Sequence, residues 1–413
     1  MSKNTVERHR QPGIEWLGEI PDHWQVRHLK YTFLTLNGST PKSDEQDYWD
    51  GDIPWATPDD LGSLNHNTLN VTRRMITREG YESCGTSLAP AGSLVISTRA
   101  PIGHLALAGT ALCTNQGCRS LVFRVEAENK YYYYQILTAK QELESWGQGA
   151  TFKELSRDKL TAIFLVTPPL IEQRSIATFL DRETSRVDEL IAKKQRQIEL
   201  LQEKRLALIH DAVHDSSTQN MRLRRVVDQI FRPIARRNDD IYTPIGLYNR
   251  GRGIFHKEPT TGADLGDSDF FWIEKDDLIL SGQFAWEGAV ALTSEREAGC
   301  VASHRYPILR GKPNLMETAY LFAFFTSRTG DFLLNENSRG AAGRNRPLNV
   351  GTLLKESIPV PPVEIQARVS AHVYFERRIE QIIARSVSLL EEYRTAVISA
   401  AVAGKIDVRE EVA

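Results

Sequence analysis

The 413-residue sequence predicts an α+β protein with a pseudo-twofold internal duplication: two mixed α/β domains joined by two long antiparallel helices forming a coiled-coil spacer. Three observations predict it. First, VTPPLIEQRSIATFL at 166–180 and VPPVEIQARVSAHV at 360–373 share a PPxxxQ start and an aliphatic residue three positions later, at a constant offset of 193 (Pro168/Pro361, Gln173/Gln366, Ile176/Val369). Second, each double proline opens a stretch free of proline and glycine, about 171–214 and 364–403. Third, the regions before those stretches carry short apolar runs broken by Gly, Pro, Asn and Asp.

In chain order, residues 1–166 form the first domain, with strands in SLVISTRAPIGHLALAG at 93–109 and a helix around 130–146. Residues 167–215 form the first long helix. Its seam is Val187, Ile191, Lys194, Ile198, Leu201, Arg205, Leu208 and Ala212, four and three apart. Residues 216–359 form the second domain, with strands in DLILSGQFAWEGAVALTS at 277–294 and a helix around 316–334. There KDDLILS at 275–281 echoes AGSLVIS at 91–97, and Gly147, Leu155 and Leu160 align with Gly340, Leu348 and Leu353. Residues 360–413 hold the second long helix, with a seam of Ile379, Ile383, Ser386, Leu390, Tyr393, Val397 and Ala400 and a stop at Gly404. The prolines suit first helical turns. Two apolar seams are most simply buried against each other, with Lys194, Arg205 and Ser386 fixing register at a small cost in stability.

Composition narrows the function. Lys and Arg total 51 against 53 Asp and Glu, a net charge of −2, which argues against a surface that is basic all over but leaves room for local patches. Cys84, Cys113, Cys118 and Cys300 have neither disulfide-framework nor zinc spacing, so a reducing, cytoplasmic setting is expected. The amino-terminal sequence has no signal-peptide character, and no run of about 18 apolar residues suggests a membrane span. Catalytic motifs are missing from the sequence: GxxxxGK[ST], HExxH and a helix-opening GxGxxG do not occur. TPPL at 167–170 lacks the amide or acid and the aromatic of an amino-methyltransferase signature. Pro58–Asp59 with Glu128 and Lys130 are too far apart in sequence to suggest a nuclease, and His104, His256 and His304 lack evident partners.

Donors suited to phosphates and base edges gather instead in loops. NSRGAAGRNRP at 337–347 offers Arg339, Arg344, Asn345 and Arg346; its counterpart GQGATFK at 147–153 offers Gln148 and Lys153. Arg99, Gln116 and Arg119 lie beside first-domain strands, with Gln283, His304 and Arg305 as rough equivalents. Arg222, Arg224, Arg225, Arg232, Arg236 and Arg237 form a candidate phosphate track, opposed only by Asp228.

IEWLGEIPDHWQVRHLKY at 14–31, with its IPxxW of Ile20, Pro21 and Trp24, carries a family resemblance. So do GSTPKS at 38–43, IPWATPDDL at 53–61, ISTRAPIGHLALAG followed by TNQGCRSL at 114–121, and the twin PPxxxQ starts. Together they resemble the specificity subunit of type I restriction–modification systems over nearly the whole chain. The resemblance implies two target-recognition domains, each reading half of a bipartite site in double-stranded DNA, with Lys42 of GSTPKS joining the candidate contacts. It implies as partners two methyltransferase subunits that bind S-adenosylmethionine and methylate adenine N6, and motor–nuclease subunits that use ATP and Mg. No cofactor is expected in this chain. Competing readings are a self-contained methyltransferase or nuclease with a duplicated binding region, and a non-catalytic DNA-binding or scaffold subunit of another phage-defence complex.

Overall fold

The computed structural model describes residues 9–10, 14, 16–64, 66–99, 101–149, 153–338, 340 and 346–408. The chain divides into two units, Met1–Ile191 with Val387–Ala413, and Ala192–Ser386, so each unit receives part of both long helices, Leu170–His214 and Val363–Val402.

The first unit is built on a five-stranded sheet. Its order is Phe33–Asn37, Cys118–Phe123, Leu94–Thr98, Ile102–Ala108 and Thr68–Leu69, antiparallel except for the last pair. Leu94–Thr98 is buried on both faces: Leu94 and Ile96 join the main core, while Val95 packs with Ala106, Ala108 and Cys118 on the other side. That explains a continuous apolar run where a one-sided strand would alternate. Where a single helix is expected around 130–146, Asn129–Thr138 and Lys140–Ser145 form two. The break falls at Ala139, whose N–H closes a tight turn onto the Ile136 carbonyl (3.1 Å).

The second unit repeats this sheet. Val227–Ile230, Ile308–Gly311, Leu278–Leu280 and Val290–Leu292 follow the same order, and the Leu278↔Leu292 pair matches Leu94↔Leu107. The helix expected around 316–334 is likewise two, Thr318–Phe325 and Arg328–Glu336. Ser327 separates them in an extended conformation, its side chain capping the second by accepting from Gly330 N–H.

The double prolines sit immediately before both long helices, and the glutamine of PPxxxQ is a buried clamp. Gln173 donates to the Pro168 carbonyl (2.8 Å) and accepts from the Glu128 N–H at the start of Asn129–Thr138 (3.0 Å). Gln366 donates to the carbonyls of Pro361 (2.8 Å) and Leu315 (3.1 Å) and accepts from the Glu317 N–H at the start of Thr318–Phe325 (2.8 Å). Tyr131 and Tyr320 add matching bonds to the carbonyls of Val166 (3.3 Å) and Pro359 (3.1 Å).

Within each unit the long helices run antiparallel. In the first, Ile176, Ala177 and Leu180 share a core with Val397, Ile398, Ala401 and Val402, and Asp188 pairs with Arg394 at 3.1 Å. In the second, Gln202 meets Glu380, Arg205 meets Glu376, and Ile209 and Ala212 pack with Val373 and Val369. Seam residues Val187, Ala212, Ile383 and Val397 are buried and most of the others half-buried. Tyr393 departs from the expectation: it is 49% exposed, and Arg394 occupies the inward position. From Leu390 the inward spacing becomes four and four (Arg394, Ile398), because a straight helix of 3.6 residues per turn drifts off a 3.5-residue repeat. Gly404 ends the second helix at φ +70°, with Lys405 N–H bonded to Ala400 O and Gly404 N–H to Ala401 O, a Schellman closure. A side chain there would also strike Pro21 and Trp24 of IPxxW at 2.6–2.9 Å.

Candidate nucleic-acid interface

The two sheets end in the same three-segment junction. In the first unit Thr98, the last residue of its strand, donates its N–H to the Gly117 carbonyl (2.8 Å) and accepts at its own carbonyl from Leu155 N–H (2.8 Å). In the second unit Gly282 donates to the Arg305 carbonyl (2.7 Å) and accepts from Leu348 N–H (2.9 Å). Gly282 is required by this approach, since a Cβ would lie 2.6 Å from the Arg305 oxygen. Arg99 and Gln283 directly follow the two junction residues, Gln116 and Arg305 belong to the second segments, and Lys153 and Arg346 stand two residues before the third-segment leucines. Candidate residues far apart in sequence therefore meet at equivalent points of both units.

Arg99 and Gln116 line a concavity of about 570 Å³ with Thr57, Asp59 and Asn115. Arg99 faces Glu154 at 3.6 Å, and Gln116 accepts a hydrogen bond from the Thr40 hydroxyl, which joins GSTPKS to TNQG. Ser39 N–H strengthens that junction by donating to Thr114 O (2.9 Å). Lys42, Gln148 and Lys153 are exposed on the adjoining loops, with the Gln148 backbone paired to Glu154 (3.0 and 2.8 Å). Arg119 stands apart: it is half-buried in its strand and donates to Asn37 Oδ1, and burial lowers its pKa.

In the second unit Gln283, His304 and Arg305 line a concavity of about 390 Å³, facing an aromatic wall of Phe231, Phe271 and Tyr306. Phe231 and Phe271 meet edge-to-face at 6.0 Å. Arg346 is exposed, with its guanidinium 5.1 Å from the Trp286 ring, and the Trp286 Nε1–H donates to the Gln283 carbonyl (3.1 Å). Arg339, Arg344 and Asn345 lie outside the described residues. Sequence reasoning passed over Asn115, Phe231, Phe271 and Trp286. Only Trp286, in a polar turn between two apolar strands, carried a local signal.

The phosphate track of 222–237 does not survive intact. Arg232 chelates the fully buried Asp277 (2.7 and 3.1 Å), and Arg236 donates to the carbonyls of Gly262 and Gly266 (2.5 and 2.6 Å). The buried carboxylate holds the Arg232 guanidinium in place, and two backbone carbonyls occupy donors of Arg236, so both arginines have structural partners. Arg222, Arg224, Arg225, Arg236 and Arg237 are exposed, and Arg232 is half-buried. His256 also acquires a neighbour, Glu297 at 3.6 Å.

Burial raises the thiol pKa of Cys113 to about 11, and Cys84, Cys113, Cys118 and Cys300 are all free. Among the described residues no helix is long and apolar enough to cross a membrane, and no three His, Cys, Asp or Glu are gathered as metal ligands.

The family model described as the type I restriction modification DNA specificity domain matches residues 21–200. The matched residues contain the first three-segment junction and the first PPxxxQ clamp. The chain is 36% identical over 194 residues to the type I restriction enzyme MjaIX specificity subunit of Methanocaldococcus jannaschii, covering 46% of this chain and 44% of the relative. It is 25% identical over 198 residues to the EcoR124I/EcoR124II specificity subunit of Escherichia coli, covering 46% and 45%. The chain thus spans about half the length of the curated relatives it matches. A solved chain, from work on complex assembly and conformational transition of the type I R-M system, shares the fold at TM-score 0.62 and 16% identity. That likeness covers 94% of this chain and 99% of the other. In the second unit four of the five sheet strands, the clamp and the junction found within the matched residues recur.

Proposed function

We propose that this chain is the DNA-specificity subunit of a type I restriction–modification complex, each unit reading one half of a bipartite site in double-stranded DNA. The observation that carries the reading is the repeated junction, which sets Arg99, Gln116 and Lys153 in one unit and Gln283, Arg305 and Arg346 in the other on equivalent loops. Exposed arginine and glutamine can pair bidentately with guanine and adenine edges, and lysine supplies a point charge for phosphate. Recognition belongs to residues 1–166 and 216–359, and assembly to the helical stretches 167–215 and 360–413. The chain works in the cytoplasm and performs no chemistry itself. Two methyltransferase subunits bring S-adenosylmethionine and modify adenine N6, and motor–nuclease subunits use ATP and Mg.

The test is methylation mapping in cells carrying this chain with its methyltransferase partners, beside a salt series of duplex gel shifts. A bipartite methylated motif that vanishes when the chain is deleted is expected. Methyl transfer by the pure chain alone, or duplex affinity without sequence preference in the assembled complex, refutes the reading.

A further inference from the structure

The second unit departs from the first at one point of its junction. The third-segment cation of the first unit is Lys153, a compact charge on a flexible stem, whereas that of the second is Arg346, held over an aromatic ring. The ring belongs to Trp286, in the short helical turn Ala285–Glu287 that follows Gln283. One edge of the indole is itself fixed, since its Nε1–H donates to the Gln283 carbonyl (3.1 Å). Gln283 is fixed in turn by the Ser281 side chain, which accepts from the Gln283 and Phe284 N–H groups (3.4 and 3.0 Å). Two loops that meet in the backbone at Gly282 are therefore coupled a second time through side chains.

Stacking on a ring restricts the many rotamers of an arginine yet leaves the edge of the guanidinium free for two parallel hydrogen bonds. That is the geometry a guanine presents through O6 and N7 in the major groove. We propose that Trp286 is a positioning residue for sequence readout: it holds Arg346 for a guanine edge of the half-site read by the second unit and ties that contact to Gln283. The inference rests on the specificity-subunit reading and deepens it. It makes Arg346 a base-reading contact where its counterpart Lys153 is a phosphate contact.

The experiment selects bound sequences from a random duplex library with the full-length chain in complex with its methyltransferase partners. It compares the wild type with Arg346→Ala, Trp286→Ala, Trp286→Phe and the Arg346→Ala/Trp286→Ala double variant. Arg346→Ala is expected to lose, on the order of tenfold, the preference for G at one position of one half-site, with the other half-site unchanged. Trp286→Ala reproduces the loss at the same position, the double variant adds nothing to it, and Trp286→Phe, which keeps a ring, falls between. Full preference in Trp286→Ala, a loss at a different position, additive losses, or equal weakening on every sequence would overturn the proposal. If Trp286→Ala fails to fold, Arg346→Ala and Trp286→Phe decide it by the same criterion of position. A wild-type complex that selects no sequence removes the specificity-subunit reading itself, which separates that failure from a failure confined to Trp286.

Discussion

Replacing Gln366 with leucine tests whether the PPxxxQ motif is a clamp rather than a helix-start preference. Leucine fills nearly the same volume, so the loss is read from polar groups. The fully buried Gln366 amide serves three of them: the carbonyls of Pro361 and Leu315 and the N–H of Glu317. Each buried group left without a partner costs roughly 1–3 kcal/mol, and the apolar replacement offsets part of the sum, giving an expected loss of about 3–5 kcal/mol. Gln173 serves two such groups, the Pro168 carbonyl and the Glu128 N–H, so Gln173→Leu is expected to cost less, about 2–3 kcal/mol. Amide hydrogen exchange gives a local reading within each unit. Protection of the Glu317 amide should fall by roughly a hundredfold in Gln366→Leu while that of Glu128 holds, and the reverse in Gln173→Leu. A loss below about 1 kcal/mol in Gln366→Leu, or a larger loss in Gln173→Leu, would refute the reasoning.

Three further outcomes are expected. Burial lifts the Glu376 carboxyl to about 7 against Arg205, which pulls it down; because the folded-state value is raised, this group's stabilisation is full at acid pH and lost as pH rises through 7. Between pH 5.5 and 8 the second unit should lose about 2 kcal/mol that Glu376→Gln does not lose, measured by denaturant unfolding at the two pH values with His372, Arg377 and Glu380 left in place. Arg232→Ala should destabilise the second unit by about 1–3 kcal/mol, because it removes one of the two arginines, with Arg310, that hold buried Asp277, while exposed Arg224→Ala leaves its thermal midpoint unchanged; equal midpoints would restore the phosphate track. Lys153→Ala in the assembled complex should flatten the salt dependence of DNA binding by about one unit of slope without changing the methylated motif, and a changed motif would make it a base contact.

What could be read from the sequence was whatever repeats at short range. The PPxxxQ starts, the four-and-three seams and the Gly404 stop each follow from local helix geometry, and the long helices lie where those patterns end. The seam failed at Tyr393 because drift accumulates over many turns and is corrected only by the partner helix, where Arg394 finds Asp188. The twin glutamines were visible as a repeat but not as a clamp, since their partners Glu128 and Glu317 lie 45 and 49 residues earlier. The site depended still more on the tertiary structure. Whether an arginine in a loop is free for DNA depends on what is buried nearby: Arg232 is taken by Asp277 and Arg236 by two carbonyls, while Arg346 is held on Trp286. The residue types nominated the candidates, but the backbone bonds at Thr98 and Gly282 gathered them, because hydrogen bonding across a sheet end joins segments that no sequence periodicity links.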